Sequence, residues 1–202
     1  YWKRSQYFIE QTRKMLAVQG ETSFLIDLGD HLDRSNLVTE ATLGKCNIEM
    51  LNDANYDVVT LGNNEGITLS HDELYHLYDD ARFEVVVGNL FSTQKENPQW
   101  MKPYTILMTQ YGTKIAVLAA TAPFDLFYRQ LGWDVTLPRP EIIKWAYALK
   151  DEVDVIVCMS HLGITEDELL AQECPAIDVI FGSHTHHVFE QGRLENGVLS
   201  CF

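Results

Sequence analysis

FLIDLGDHLD, residues 24–33, is an apolar run that breaks at Gly29 into an acidic turn. The same grammar recurs in DVVTLGNNE at 57–65, DVIVCMSHLG at 154–163 and IDVIFGSHTHH at 177–187. Short Val- and Ile-rich runs that stop at Gly, Asn or Ser read as buried strands. Helix-like stretches separate them, which indicates an α/β fold. In such a sheet the loops at the carboxyl ends of the strands gather into one crevice. Asp30, Asn63, His161, His184 and His186 are therefore expected to converge. One carboxylate, one amide oxygen and three imidazoles suit a divalent transition-metal site, read here as dinuclear.

Working outward from these runs, the chain reads as helix (about 3–18, within a helical stretch from Tyr1 to Gly20), strand (about 23–28), helix (about 38–54), strand (about 57–61), helix (about 70–80) and strand (about 84–88). Ser70 with Glu73 gives an S-x-x-E capping box at the third helix. YTILMTQ, Tyr111-Gly112-Thr113 and KIAVLAA then form a β-hairpin. Residues 121–140, with Pro123, Pro138 and Pro140, read as an irregular connection. A helix at about 140–150 and a strand at about 154–159 follow. Thr165 with Glu168 caps a helix at about 165–173, and a strand at about 177–181 leads into the histidine cluster. A second hairpin turns at Asn196-Gly197. This order implies a mixed sheet, or two sheets stacked between helical layers. The opening helix lacks a strand to feed it and VLSCF starts a strand that does not continue, so a fragment of a longer protein is expected.

With 46% hydrophobic and 22% charged residues, a chain of 202 residues can bury one sizeable core. Its net charge of −14 argues against nonspecific binding to nucleic acid or anionic membranes. It leaves a small anionic substrate open, because a bound cation dominates its local field. No apolar stretch approaches membrane-spanning length. Cys46, Cys158, Cys174 and Cys201 are scattered, without a CxxC pair, which favours a reducing cytoplasm.

Taken singly, each site residue has a plain alternative. By itself Asp30 reads as a turn cap before a ligand, and Asn63 as a turn residue in a left-handed conformation before a ligand. His161 reads equally as a packed strand-end residue or a ligand. His184 and His186 are alternate residues, so both face one metal only if Gly182 and Ser183 let the loop turn. Asn64 can serve in place of Asn63. Arg34 offers a planar guanidinium to a phosphate. His187 is read as a hydrogen-bonding or surface residue, and His71 and His76 as surface residues on a helix.

Together, GD…GN…H…GxHxH resembles the calcineurin-like metallophosphoesterase superfamily, in its bacterial 5′-nucleotidase and UDP-sugar hydrolase branch. LGDHLDRS, TLGNNEGIT and SHLGITED are similar to a bacterial subgroup of nucleotidase-like proteins, and the resemblance spans roughly residues 20–200. It implies a four-layer α-β-β-α sandwich with mixed sheets, incomplete at both ends. The family's first D-x-H motif and its C-terminal nucleoside-binding domain would both lie outside the chain. It also implies that Asp30 bridges two metals, that Asn63, His161 and His184 complete one of them, and that His186 serves the other. Two divalent ions are expected, Mn first and Fe or Zn next. The implied activity is hydrolysis of phosphate esters or anhydrides of nucleotides by metal-activated water. Cyclic-nucleotide phosphodiesterase activity and a metal-binding pseudoenzyme are the alternatives. The family's G-N-H-[ED] motif is GNNE here, so Asn64 stands where a histidine contacts phosphate. An amide still donates a hydrogen bond but is no general acid near neutral pH, a loss that costs on the order of 10²–10⁴ in rate. His31 is the candidate to compensate. No nucleic-acid or membrane partner is expected, and the pattern carries no signal of oligomeric state.

Overall fold

The computed structural model describes residues 2–202, so Tyr1, at the start of the expected first helix, lies outside the described residues. From the N-terminus, α1 (Trp2–Val18) precedes β1 (Ile26–Asp27). The expected long helix is two, α2 (Leu37–Thr42) and α3 (Lys45–Asp53). Leu43 and Gly44 between them take left-handed backbone, and Gly44 lies so close to Leu32 that a Cβ there would collide with its side chain. Next come β2 (Val58–Val59), α4 (Asn63–Thr68), α5 (His71–Tyr75), β3 (Glu84–Val86), β4 (Leu90–Ser92), β5 (Met101–Lys102), β6 (Tyr104–Met108) and β7 (Lys114–Thr121). The stretch expected to be irregular carries α6 (Asp125–Gln130) and β8 (Trp133–Val135). The last elements are α7 (Pro138–Leu149), β9 (Val155–His161), α8 (Ile164–Glu173), β10 (Val179–Gly182), β11 (Arg193–Glu195) and β12 (Val198–Cys201).

Two larger sheets form. One is all parallel, in the order β1-β2-β3-β5. The other is mixed, in the order β11-β12-β10-β9-β7-β6, with both expected hairpins at its edges. A small ladder pairs β4 with β8. Val58, Val86, Val117, Ala119 and Met159 pack between the two sheets. Helices cover the outer faces, α3 and α5 against the first sheet and α7 and α8 against the second. The result is the four-layer α-β-β-α arrangement.

Capping decides two local details. Ser70 and Glu73 make the expected reciprocal box. Thr165 does not cap α8. Gly163 stands at its N-cap with φ 94°, and the Ile164 N–H donates to Thr185 Oγ1 at 3.1 Å. That bond ties the start of α8 to the loop that carries His184.

β1 forms an open edge of the first sheet. Leu25 O and Asp27 O accept bonds from the β2 side, so the alternation of a strand turns the N–H and C=O of Ile26 away from it. α1 above this edge has no buried residue, and Phe8 is 69% exposed. The helix is tied down instead by Arg13, whose guanidinium donates to Asn55 O at 2.8 Å and Asp57 Oδ2 at 2.6 Å. An apolar cavity of about 420 Å³ opens beside Ile26 and Leu28, between the two sheets. None of the described helices is long and apolar enough to cross a membrane.

Candidate metal centre

Four strand ends build the centre. Asp30 follows β1 in a turn with φ 61°, and Asn63 opens α4 just after β2. His161 is the last residue of β9, and His184 follows β10 with φ 72°. Gly29 and Gly62 allow the first two turns to touch. A Cβ on Gly29 would overlap the Gly62 backbone, and one on Gly62 would overlap the Asp30 carboxylate. These are positions where only glycine fits without moving backbone.

Potential ligand atoms of Asp30, His161 and His184 all lie within 4.8 Å of one another. His161 is 1% exposed, and its Nε2 stands 3.3 Å from Asp30 Oδ2 and 3.3 Å from Asn63 Oδ1. Its Nδ1 lies 2.7 Å from the Leu28 carbonyl, which can only accept, so Nδ1 carries the hydrogen. Nε2 therefore presents either a lone pair or a second proton to two oxygens. Burial alone would lower the His161 pKa, but the Asp30 carboxylate and the Leu28 carbonyl raise it on balance. Burial pushes the Asp30 carboxyl up, and His161 with the Asn64 N–H more than reverses that. His184 is shifted down, by burial first and then by His161. Its ring centroid is 5.2 Å from that of His161 and 5.9 Å from Phe124, which packs edge-on against it.

The remaining candidates fall elsewhere. His186 is exposed and outside this cluster of ligand atoms, and His187 is exposed beside Thr185. Asn64 is at the centre through its backbone, whose N–H donates to Asp30 Oδ1 at 2.8 Å, while its Oδ1 takes the Asn63 amide at 3.3 Å. His31, expected as a proton donor beside Asp30, turns into the core instead. Its Nδ1 lies 3.2 Å from Asp27 Oδ1 and its Nε2 3.2 Å from the Tyr78 hydroxyl. Burial opposes its charge, but Glu65 and Asp27 override this and lift its pKa to about 9. The Arg34 guanidinium is bound to Glu40 and to the Thr68 carbonyl rather than free for a phosphate. His71, expected at the surface, is buried, stacked on Trp133 with Nε2 2.9 Å from Ser92 Oγ.

Sequence reasoning missed Glu65, a fully buried carboxylate beneath Asp30. Its signal was an acid at the third position of α4, where it caps the Gly62 N–H at 2.7 Å. Leu28, as the acceptor that orients His161, and Phe124 were missed too. A backbone carbonyl and a single apolar residue leave no mark in a motif.

Comparison with known proteins gives a consistent result. Residues 3–188 match the family described as calcineurin-like phosphoesterase. The Bacillus subtilis (strain 168) protein named uncharacterized metallophosphoesterase YunD is 46% identical over 98% of this chain and 43% of its own length. Among solved structures, the sulfate thiohydrolase SoxB of Thermus thermophilus superposes with a TM-score of 0.86 at 19% identity, over 97% of this chain and 36% of that one. A 5′-nucleotidase precursor, also from Thermus thermophilus, superposes with a TM-score of 0.79 at 23% identity, over 93% and 40%. The chain spans less than half the length of the curated relatives it matches.

Proposed function

Because this chain belongs to the calcineurin-like phosphoesterase family, we propose that it forms the metal-binding half of a hydrolase that cleaves phosphate esters or anhydrides of nucleotides. The observation that carries the reading is the facing of His161 Nε2 on Asp30 Oδ2 and Asn63 Oδ1, with Nδ1 already committed to Leu28. A neutral imidazole nitrogen and two oxygens aimed at one point repel one another unless a cation lies between them. A proton on Nε2 satisfies them in part, and a divalent ion does so more completely. The donor set of carboxylate, amide oxygen and imidazole fits Mn, Fe or Zn, with Mn as the first choice.

Asp30, Asn63, His161 and His184 would hold one ion, and Asp30 with His186 would serve a second. Bound divalent ions would supply Lewis-acid stabilisation of the phosphoryl oxygens and a lowered pKa for an attacking water. The chain's own groups orient the reaction. Leu28 O fixes the His161 tautomer and Phe124 supports the His184 ring, and the Asn64 amide N–H₂ would donate to a phosphoryl oxygen. The open edge of β1, with the apolar cavity beside it and α1 unburied above it, supports a further parallel strand there. Such a strand would add ligands beside Asp30 and His186. The nucleotide assignment rests on the names of relatives such as the Thermus thermophilus 5′-nucleotidase precursor. SoxB, a sulfate thiohydrolase, shares the fold.

The test is phosphate release by the full-length protein, with and without Mn²⁺, across 5′-nucleotides, UDP-sugars and cyclic nucleotides. Mn²⁺-dependent release from a nucleotide, abolished by His161→Ala, is the expected result. Tight binding of Mn²⁺ without turnover of any substrate would overturn it in favour of a metal-binding pseudoenzyme, a reading that Asn64 in place of a general acid favours.

A further inference from the structure

We propose that Glu65 is a positioning residue for the Asp30 carboxylate, a role that rests on the metal-hydrolase reading above. Glu65 is 0% exposed and accepts three backbone N–H bonds. Its Oε2 takes Asp30 N at 2.9 Å and Gly62 N at 2.7 Å, and its Oε1 takes Leu32 N at 2.8 Å. Two of these donors belong to the turn after β1 and one to the turn after β2. The bond from Asn64 N to Asp30 Oδ1 runs the other way, at 2.8 Å.

The two turns thus clasp each other reciprocally. The Glu65 side chain holds the Asp30 backbone, and the Asn64 backbone holds the Asp30 side chain. With Oδ1 occupied, Oδ2 is the oxygen left to face His161 Nε2 at 3.3 Å. The clasp also keeps Asp30 at φ 61°, a left-handed conformation that a non-glycine residue holds only when its surroundings over-determine it. A carboxylate is the one side chain that meets this arrangement, because it only accepts. Glutamine would set an N–H₂ group against a backbone N–H.

The test uses the full-length protein and two variants, Glu65→Gln and Glu65→Asp. The second keeps the charge and shortens the reach, so it covers the case in which the first does not fold. Three quantities are read: Mn²⁺ affinity by titration, amide hydrogen exchange of Asp30 and Leu32 without metal, and turnover as a function of Mn²⁺. Groups that orient metal ligands typically change affinity about 10–100-fold when altered. We expect a weakening of that size, faster exchange at both amides, and turnover restored by raising Mn²⁺. A lower melting temperature with unchanged Mn²⁺ affinity would make Glu65 merely structural and overturn the proposal. Wild-type protein that takes up no Mn²⁺ would defeat the metal reading itself, and unchanged exchange at Asp30 and Leu32 in the variants would then defeat the clasp independently.

Discussion

Asp167→Asn should make the protein more stable at mildly alkaline pH and change it little in acid. Asp167 lies in the first turn of α8 and is 0% exposed. Its Oδ1 accepts the Ser160 hydroxyl, while its Oδ2 is buried without a hydrogen-bond partner among the described residues. Gly182 packs against that oxygen so closely that a Cβ there would lie 2.6 Å from it. Burial is the main cause that lifts the carboxyl from 3.8 to about 7. The Ser160 bond opposes the rise and the Glu166 charge adds to it. The unfolded chain releases this proton near its ordinary value, whereas the native state keeps it until about pH 7. Between those limits the native state binds more protons, so stability is full below about pH 4 and is lost as pH rises toward about 7. At roughly 1.4 kcal/mol per pH unit, the loss approaches about 4 kcal/mol. Asparagine cannot ionise and keeps the acceptor for Ser160. Urea unfolding of both proteins at about pH 5 and about pH 8 isolates the term, because every other titrating group cancels in the difference. Because part of the loss has already occurred at about pH 5, the variant should gain up to about 3 kcal/mol over wild type between those pH values. Parallel curves, or a variant less stable at the higher pH, would show that Asp167 is ionised and satisfied in the native state, and the reasoning would fail.

Two further substitutions test the centre. Gly29→Ala forces a side chain into φ 90° and against the Gly62 backbone, and should cost at least about 2 kcal/mol by the urea midpoint. An unchanged midpoint would show that the two turns are not in contact. Asn64→His restores a group able to act as a general acid and should raise Mn²⁺-dependent turnover, on the order of 10²-fold. A fall in turnover would mean that the site is built around the amide.

The strand-and-turn grammar was legible because it is local. Runs such as DVIVCMSHLG carry their own periodicity and stop signal, so the α/β class, both hairpins, the Ser70–Glu73 cap and the strand-end placement of Asp30, Asn63, His161 and His184 follow from neighbours a few residues apart. The break at Leu43–Gly44 and the elements within 121–140 were not legible, since the first depends on contact with Leu32 and the second on pairing with β4. Tertiary structure alone decided the chemistry of the centre. The carbonyl that sets the His161 tautomer is 133 residues away, and the carboxylate that holds Asp30 is 35 residues away. It also sent His31 and His71 inward, where Asp27, Tyr78, Trp133 and Ser92 meet their polar and aromatic edges. A sequence states which groups stand at the end of each strand. Which of their atoms face one another depends on how two sheets pack, and that geometry is set by contacts no local pattern encodes.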